Sequence, residues 1–176
     1  MGAAIDLFRE RGYHATGVDD SGQAVDVSGP AIYRHFTSKE EILVEAIRRA
    51  GDRIRVADDQ ARATATGPAE LLEGYVRAYA RVAVDESALM AVWTSEVRHL
   101  TPARRSPMTR RIRMWTDEWV ELVRAWRPEL DDDRARLLVV GAMGLITALS
   151  DRPHDDPRRL EDQLVAMALA ALRTEL

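Results

Sequence analysis

From about residue 37 to the end, apolar side chains recur at helical spacing, and the pattern breaks where a proline, a glycine or an N-cap residue stands. Ser38, Lys39, Glu40 and Glu41 read as a capping box, so a long helix is expected from Thr37 to about Ala65. It ends in the run from Ala61 to Pro68. Pro68 opens a helix through Val84, and Asp85 is placed to cap another through about His99. Thr101 and Pro102 start a segment reaching Trp126, which Pro107 is expected to kink or split. Helices over Asp131 to Ser150 and from Asp156-Pro157 to Leu172 finish the chain. There is no strand alternation, repeat or low-complexity tract, so the expected class is all-α.

The last two helices are apolar nearly all round. Leu137, Leu138, Val139, Val140, Ala142, Met143, Leu145, Ile146, Ala148 and Leu149 leave the first without a polar side, and such a helix must be covered on both sides. The second repeats the pattern, and Gly141, Gly144 and several alanines allow close approach. Two such helices from each of two copies would make a four-helix interface, with Leu138, Ala142, Leu145, Leu149, Leu164, Ala168, Leu169 and Leu172 as its candidate residues. The alternative is an ordinary monomer core.

Aromatic residues gather in the middle of the chain. Tyr75 and Tyr79 share one helical face, as do Trp115 and Trp119, and Trp93 and Trp126 lie nearby in sequence. Faces of this kind on neighbouring helices would line a cavity for a largely apolar ligand, with Met143 in the wall and Thr94 and Glu96 as polar contacts. Plain core is the competing reading. Six arginines and no acid lie between Arg98 and Arg113; a solvated surface accounts for them, and an anion site is the sharper alternative.

Ahead of the long helix, residues 13 to 43 pack two short helical segments and a capped third into about thirty positions. Thr16 and Asp19 suit an N-cap and its partner for a helix from Gly17 to Ala24 or Val25. Ser28 and Pro30 start the next, Gly29 to Phe36. On it Ile32 and Phe36 share a face while Pro30, Tyr33 and Arg34 turn outward, as a groove-reading helix requires. The capped start at Ser38 and Lys39 favours an anion such as a DNA phosphate.

The order LFRERGY, TGVDD, VSGPAIYRHF and SKEEIL resembles the DNA-binding domain of TetR/AcrR-type transcriptional repressors, over roughly residues 3 to 48. The resemblance implies a three-helix helix-turn-helix domain over 1–48 and a helical ligand-binding and dimerisation domain over 49–176, with the break inside the long helix. It makes Ser28, Gly29, Pro30, Tyr33 and His35 recognition-helix contacts, and Thr16 and Lys39 phosphate contacts. Operator DNA, a small apolar effector and a second copy of the chain are the implied partners. Family members usually carry an apolar residue where Ser21 stands and a glycine where Asp26 stands, so both positions should lower stability. They also have a longer first helix preceded by a basic arm, so MGAAIDLF is expected to start part-way along it.

Composition narrows the classes further. With 46% hydrophobic and 31% charged residues, the 176-residue chain is of globular type. It has no cysteine, which excludes disulfides, thiol catalysis and zinc–thiolate sites and suits a reducing cytoplasm. Its net charge is −4, and residues 1–50 carry six basic against eight acidic groups, so affinity for DNA would rest on the placement of charge. His14, His35, His99 and His154 have no ligand-like spacing, apart from the single pair Glu96 and His99. No metal or cofactor is called for. No nucleophile elbow or phosphate loop is present, so an enzyme is disfavoured. A helical carrier whose helix-turn-helix has decayed is the alternative to a ligand-released repressor.

Overall fold

In a computed structural model of the chain, residues 2–13, 36–97 and 100–175 are described. The helices among them are α1 (Gly2–Arg11), α2 (Lys39–Thr64), α3 (Pro68–Asp85), α4 (Ser87–Glu96), α5 (Pro102–Trp126), α6 (Asp132–Leu149) and α7 (Pro157–Leu172). The described residues contain no strand, and no helix among them is long and apolar enough to cross a membrane.

Most helix starts follow local chemistry. Ser38 Oγ accepts the Glu41 N–H at 3.2 Å. The reciprocal half of that box is displaced by one residue, because Glu41 takes the Thr37 N–H at 2.7 Å and the Thr37 hydroxyl at 2.8 Å. Asp131 accepts from the Arg134 N–H and Asp156 from the Arg158 N–H, each at 2.9 Å. Pro68, Pro102 and Pro157 occupy first turns, where a missing N–H costs nothing.

Two expectations are corrected. Asp85 does not cap α4: it is the last residue of α3, and the cap position falls on Glu86, whose side chain makes no cap bond. Both carboxylates are instead held by Arg53 of α2, at 2.5 and 2.7 Å. Nor does Pro107 split the helix that contains it, which is continuous from Pro102 to Trp126. Ala103 and Pro107 are exposed, so water can reach the Ala103 carbonyl that the missing N–H leaves behind.

α3 is the central element, packed on α2, α5 and α7 and more lightly on α4 and α6, while α6 also packs on α5 and α7. Its own face explains this, because Leu72, Tyr75, Val76, Ala80, Val82 and Ala83 are all buried. α1 lies on α4 and the start of α2, burying Ala4, Ile5 and Phe8. Gly12 then turns the chain at φ +86°, a left-handed conformation that suits glycine, and Tyr13 folds back edge-on to Phe8 with ring centroids 5.2 Å apart. Polar clasps join the N-terminal elements to the rest, among them Arg9 to Asp151 at 2.7 Å, Asp52 to Arg111 at 2.6 Å, and Glu40 to the N–H and hydroxyl of Thr101 at 2.8 and 2.9 Å. The last uses a carboxylate of α2 to satisfy the first turn of α5.

Candidate effector pocket and DNA-binding head

The i,i+4 pairs on α3 and α5 meet in the core. Tyr79 is edge-on to Trp115 at 5.0 Å between centroids and to Trp119 at 6.4 Å, and Trp115 is edge-on to Trp119 at 5.3 Å. Tyr75 completes the set, tilted 47° to Trp119 at 6.4 Å. Such edge-to-face pairs contribute about 0.5–1.5 kcal/mol each beyond the area they bury. Met143 of α6 joins the same wall, since its sulfur lies 3.7 Å from the hydroxyl oxygen of Thr116, next to Trp115. The Tyr79 hydroxyl and Thr147 Oγ1 are 2.5 Å apart, and burial raises the Tyr79 phenol above its ordinary range. Thus Tyr75, Tyr79, Trp115, Trp119 and Met143 are brought together.

Trp93 and Glu96 are placed differently. Trp93 is half-buried on α4, and Glu96 at the end of that helix lies toward the N-terminal elements. Its charge helps to raise the Tyr13 phenol, which burial and, after it, Glu40 and Glu96 push up to about 12.

One polar residue in the aromatic region was not foreseen. Asp58 of α2 is 4% exposed, and its Oδ2 accepts the indole N–H of Trp115 at 2.8 Å. Burial pushes its carboxyl up to about 7; the Trp115 hydrogen bond and Arg62 oppose this, while Glu118 and Asp59 add to it. One turn further along α2, Arg62 donates to the Tyr75 hydroxyl, stands over the Tyr75 ring and reaches Glu118 at 3.6 Å. The sequence signal was weak, because Asp58 and Asp59 are adjacent acids in a polar stretch and only the fold turns one of them inward.

Of the expected DNA contacts, Thr16, Ser28, Gly29, Pro30, Tyr33 and His35 lie outside the described residues, as do Ser21 and Asp26. Lys39 is described. Its ammonium donates to the Tyr13 carbonyl at 2.7 Å and stands 4.8 Å from the centroid of the Tyr13 ring, so it ties the start of α2 to the end of α1.

The candidate interface residues divide in two. Leu138, Ala142, Leu164, Ala168 and Leu172 are turned inward and buried within the single chain, while Leu145, Leu149 and Leu169 are half-buried. The apolar surface that α6 and α7 present outward consists of Leu137, Val140 and Met167, with exposed Gly141, Gly144, Ala148, Ala166 and Ala170 beside them. The register of the outer face is therefore shifted from the expected one, because packing on α3 and α5 chooses which side of each helix is covered from within.

Comparison with known proteins agrees with this architecture. The family model for bacterial regulatory proteins of the tetR family matches residues 1–46, and that for the tetracyclin repressor-like C-terminal domain matches residues 65–172. The chain belongs to the TetR family. The HTH-type transcriptional repressor KstR2 of Mycolicibacterium smegmatis is 31% identical over 137 residues, which span 74% of this chain and 67% of that protein. The HTH-type transcriptional activator FasR of the same organism is 36% identical over 77 residues, 44% of this chain and about a third (35%) of that protein. Among solved structures, the TetR family regulator PfmR from Thermus thermophilus superposes with a TM-score of 0.81 at 25% identity, covering 99% of this chain and 97% of that one. As a member of this family the chain is an all-α transcriptional regulator and not an enzyme.

Proposed function

We propose that this regulator works in the cytoplasm as a homodimeric repressor, binds a palindromic operator through the segment 28–36, and is released by a small, largely apolar effector held against Tyr75, Tyr79, Trp115 and Trp119. The observation that carries the reading is the span of α2. Its capped start, tied to Tyr13 through Lys39, belongs to the N-terminal head, and its far half reaches the aromatic cluster through Asp58 and Trp115. The repressor assignment takes support from KstR2, which aligns along most of this chain and is named a repressor. The exposed strip of Leu137, Val140 and Met167 supports the dimer, and two copies supply the two half-sites a palindrome needs.

An effector can change operator affinity only by binding the two conformations of the dimer unequally, and by linkage operator DNA must weaken effector binding by the same factor. Retarded migration of a palindromic DNA fragment from upstream of the coding region tests the DNA half. Tyr33→Ala should weaken operator binding by about 1–3 kcal/mol, and Lys39→Ala should weaken all sequences alike and lower the salt slope by about one. Unchanged operator binding by Tyr33→Ala would refute the recognition-helix assignment. A protein that binds apolar ligands but no DNA would be the helical carrier instead.

A further inference from the structure

Two buried polar atoms at the aromatic cluster have no hydrogen-bond partner among the described residues: Asp58 Oδ1 and Trp119 Nε1. Asp58 is 4% exposed and Trp119 is fully enclosed. Buried polar groups nearly always find a partner, whether protein, water or ligand, because an unmade bond there carries the full cost of desolvation. The ring of Trp115 lies against both residues, with its N–H on the other oxygen of Asp58 and its centroid 5.3 Å from that of Trp119. Arg62, one turn further along α2, is engaged elsewhere, being hydrogen-bonded to Tyr75 and paired with Glu118.

We propose that Asp58 Oδ1 and Trp119 Nε1 are the polar end of the effector site, and that the effector is an apolar molecule carrying a hydroxyl or a primary amine and no carboxylate. This rests on the aromatic cluster being the effector wall. Ionised Asp58 requires a donor and Trp119 an acceptor, and a hydroxyl can serve either. An ammonium supplies donors and neutralises the buried acid. A carboxylate supplies no donor and would place a second negative charge beside Asp58, with Glu118 and Asp59 already adding theirs and only Arg62 opposing them. Burial raises the Asp58 carboxyl from its ordinary 3.8 to about 7, so it is ionised at pH 8, and an ammonium against Oδ1 favours that ionised form.

The test uses the full chain with three probes of one length, decanol, decylamine and decanoate, followed by quenching of tryptophan fluorescence and by calorimetry at pH 8. Decanol and decylamine should bind at least about tenfold more tightly than decanoate, and Asp58→Asn should weaken decylamine by about tenfold or more while sparing decanol. Trp119→Phe, which keeps the ring and removes the N–H, should weaken decanol severalfold. Equal or tighter binding of decanoate overturns the proposal, as does binding of no probe. If Asp58→Asn binds all three like the parent, the acid is a hydrated core group and the proposal also fails. Operator release is followed in parallel. Asp58-dependent binding without release upholds this site and removes the sensor reading alone, whereas release by probes indifferent to Asp58 removes this site alone.

Discussion

Gly74 of α3 lies so close to Ala61 of α2 that a β-carbon built on it would stand 2.5 Å from the β-carbon of Ala61. Real side chains do not approach so closely, so the crossing of these two helices depends on the missing methyl. Gly74→Ala should destabilise the protein by about 1–3 kcal/mol through overpacking, even though alanine is the better helix former. Adding Ala61→Gly removes the collision and should recover most of the loss. Thermal unfolding of the parent, the single variant and the double variant decides it, and a single variant as stable as the parent would show that the crossing yields.

Asp58 makes stability depend on pH in a defined direction. Its folded carboxyl titrates at about 7 against an ordinary value of 3.8, so between those values the folded state holds a proton that the unfolded chain has lost. The stabilisation is complete below the lower value and disappears as pH rises through the upper one, up to about 4 kcal/mol in all. Glu45 slopes the other way, since hydrogen bonds from Arg48 and Arg49 lower it to about 2, but it is ionised in both states above pH 6. Chemical denaturation at pH 6 and pH 8 should therefore show the parent losing stability relative to Asp58→Asn. Parallel curves would mean that Asp58 is solvated in the folded protein.

The outer strip of α6 and α7 gives a prediction that separates assembly from folding. Val140 is 54% and Met167 is 45% exposed in the single chain, so Val140→Arg with Met167→Arg should leave the monomer folded and weaken a dimer by about 3–5 kcal/mol or more, two unpaired charges from each copy being buried on association. Leu164→Arg should instead unfold the chain, because Leu164 is enclosed within it. Light scattering and circular dichroism together read both outcomes. A parent that is monomeric at micromolar concentration would remove the interface.

Much of the fold was legible because helix starts are local events. Pro68, Pro102, Pro157, Asp131 and Asp156 each announce a first turn within a few residues, and the pairs Tyr75 with Tyr79 and Trp115 with Trp119 share faces by spacing alone. Asp85 misled because its carboxylate, suited to capping, was claimed by Arg53 from another helix. The face of α6 could not be read, since Leu137 and Leu138 are the same residue type in a helix apolar on every side, yet one is 63% exposed and the other 6%. Asp58 was hidden for a like reason: its partner Trp115 stands 57 positions away.

The length of α2 sets a scale for how little it needs to move. Twenty-six residues at 1.5 Å each make a rod of about 39 Å, so pivoting at Thr64 carries Lys39 sideways by about 0.7 Å per degree. About five degrees displaces it by one base-pair rise, about 3.4 Å. A tilt of that size would be enough to carry the start of α2 by one step along a duplex bound there, and the Glu40–Thr101 clasp, one residue from that moving end, is among the contacts that oppose it.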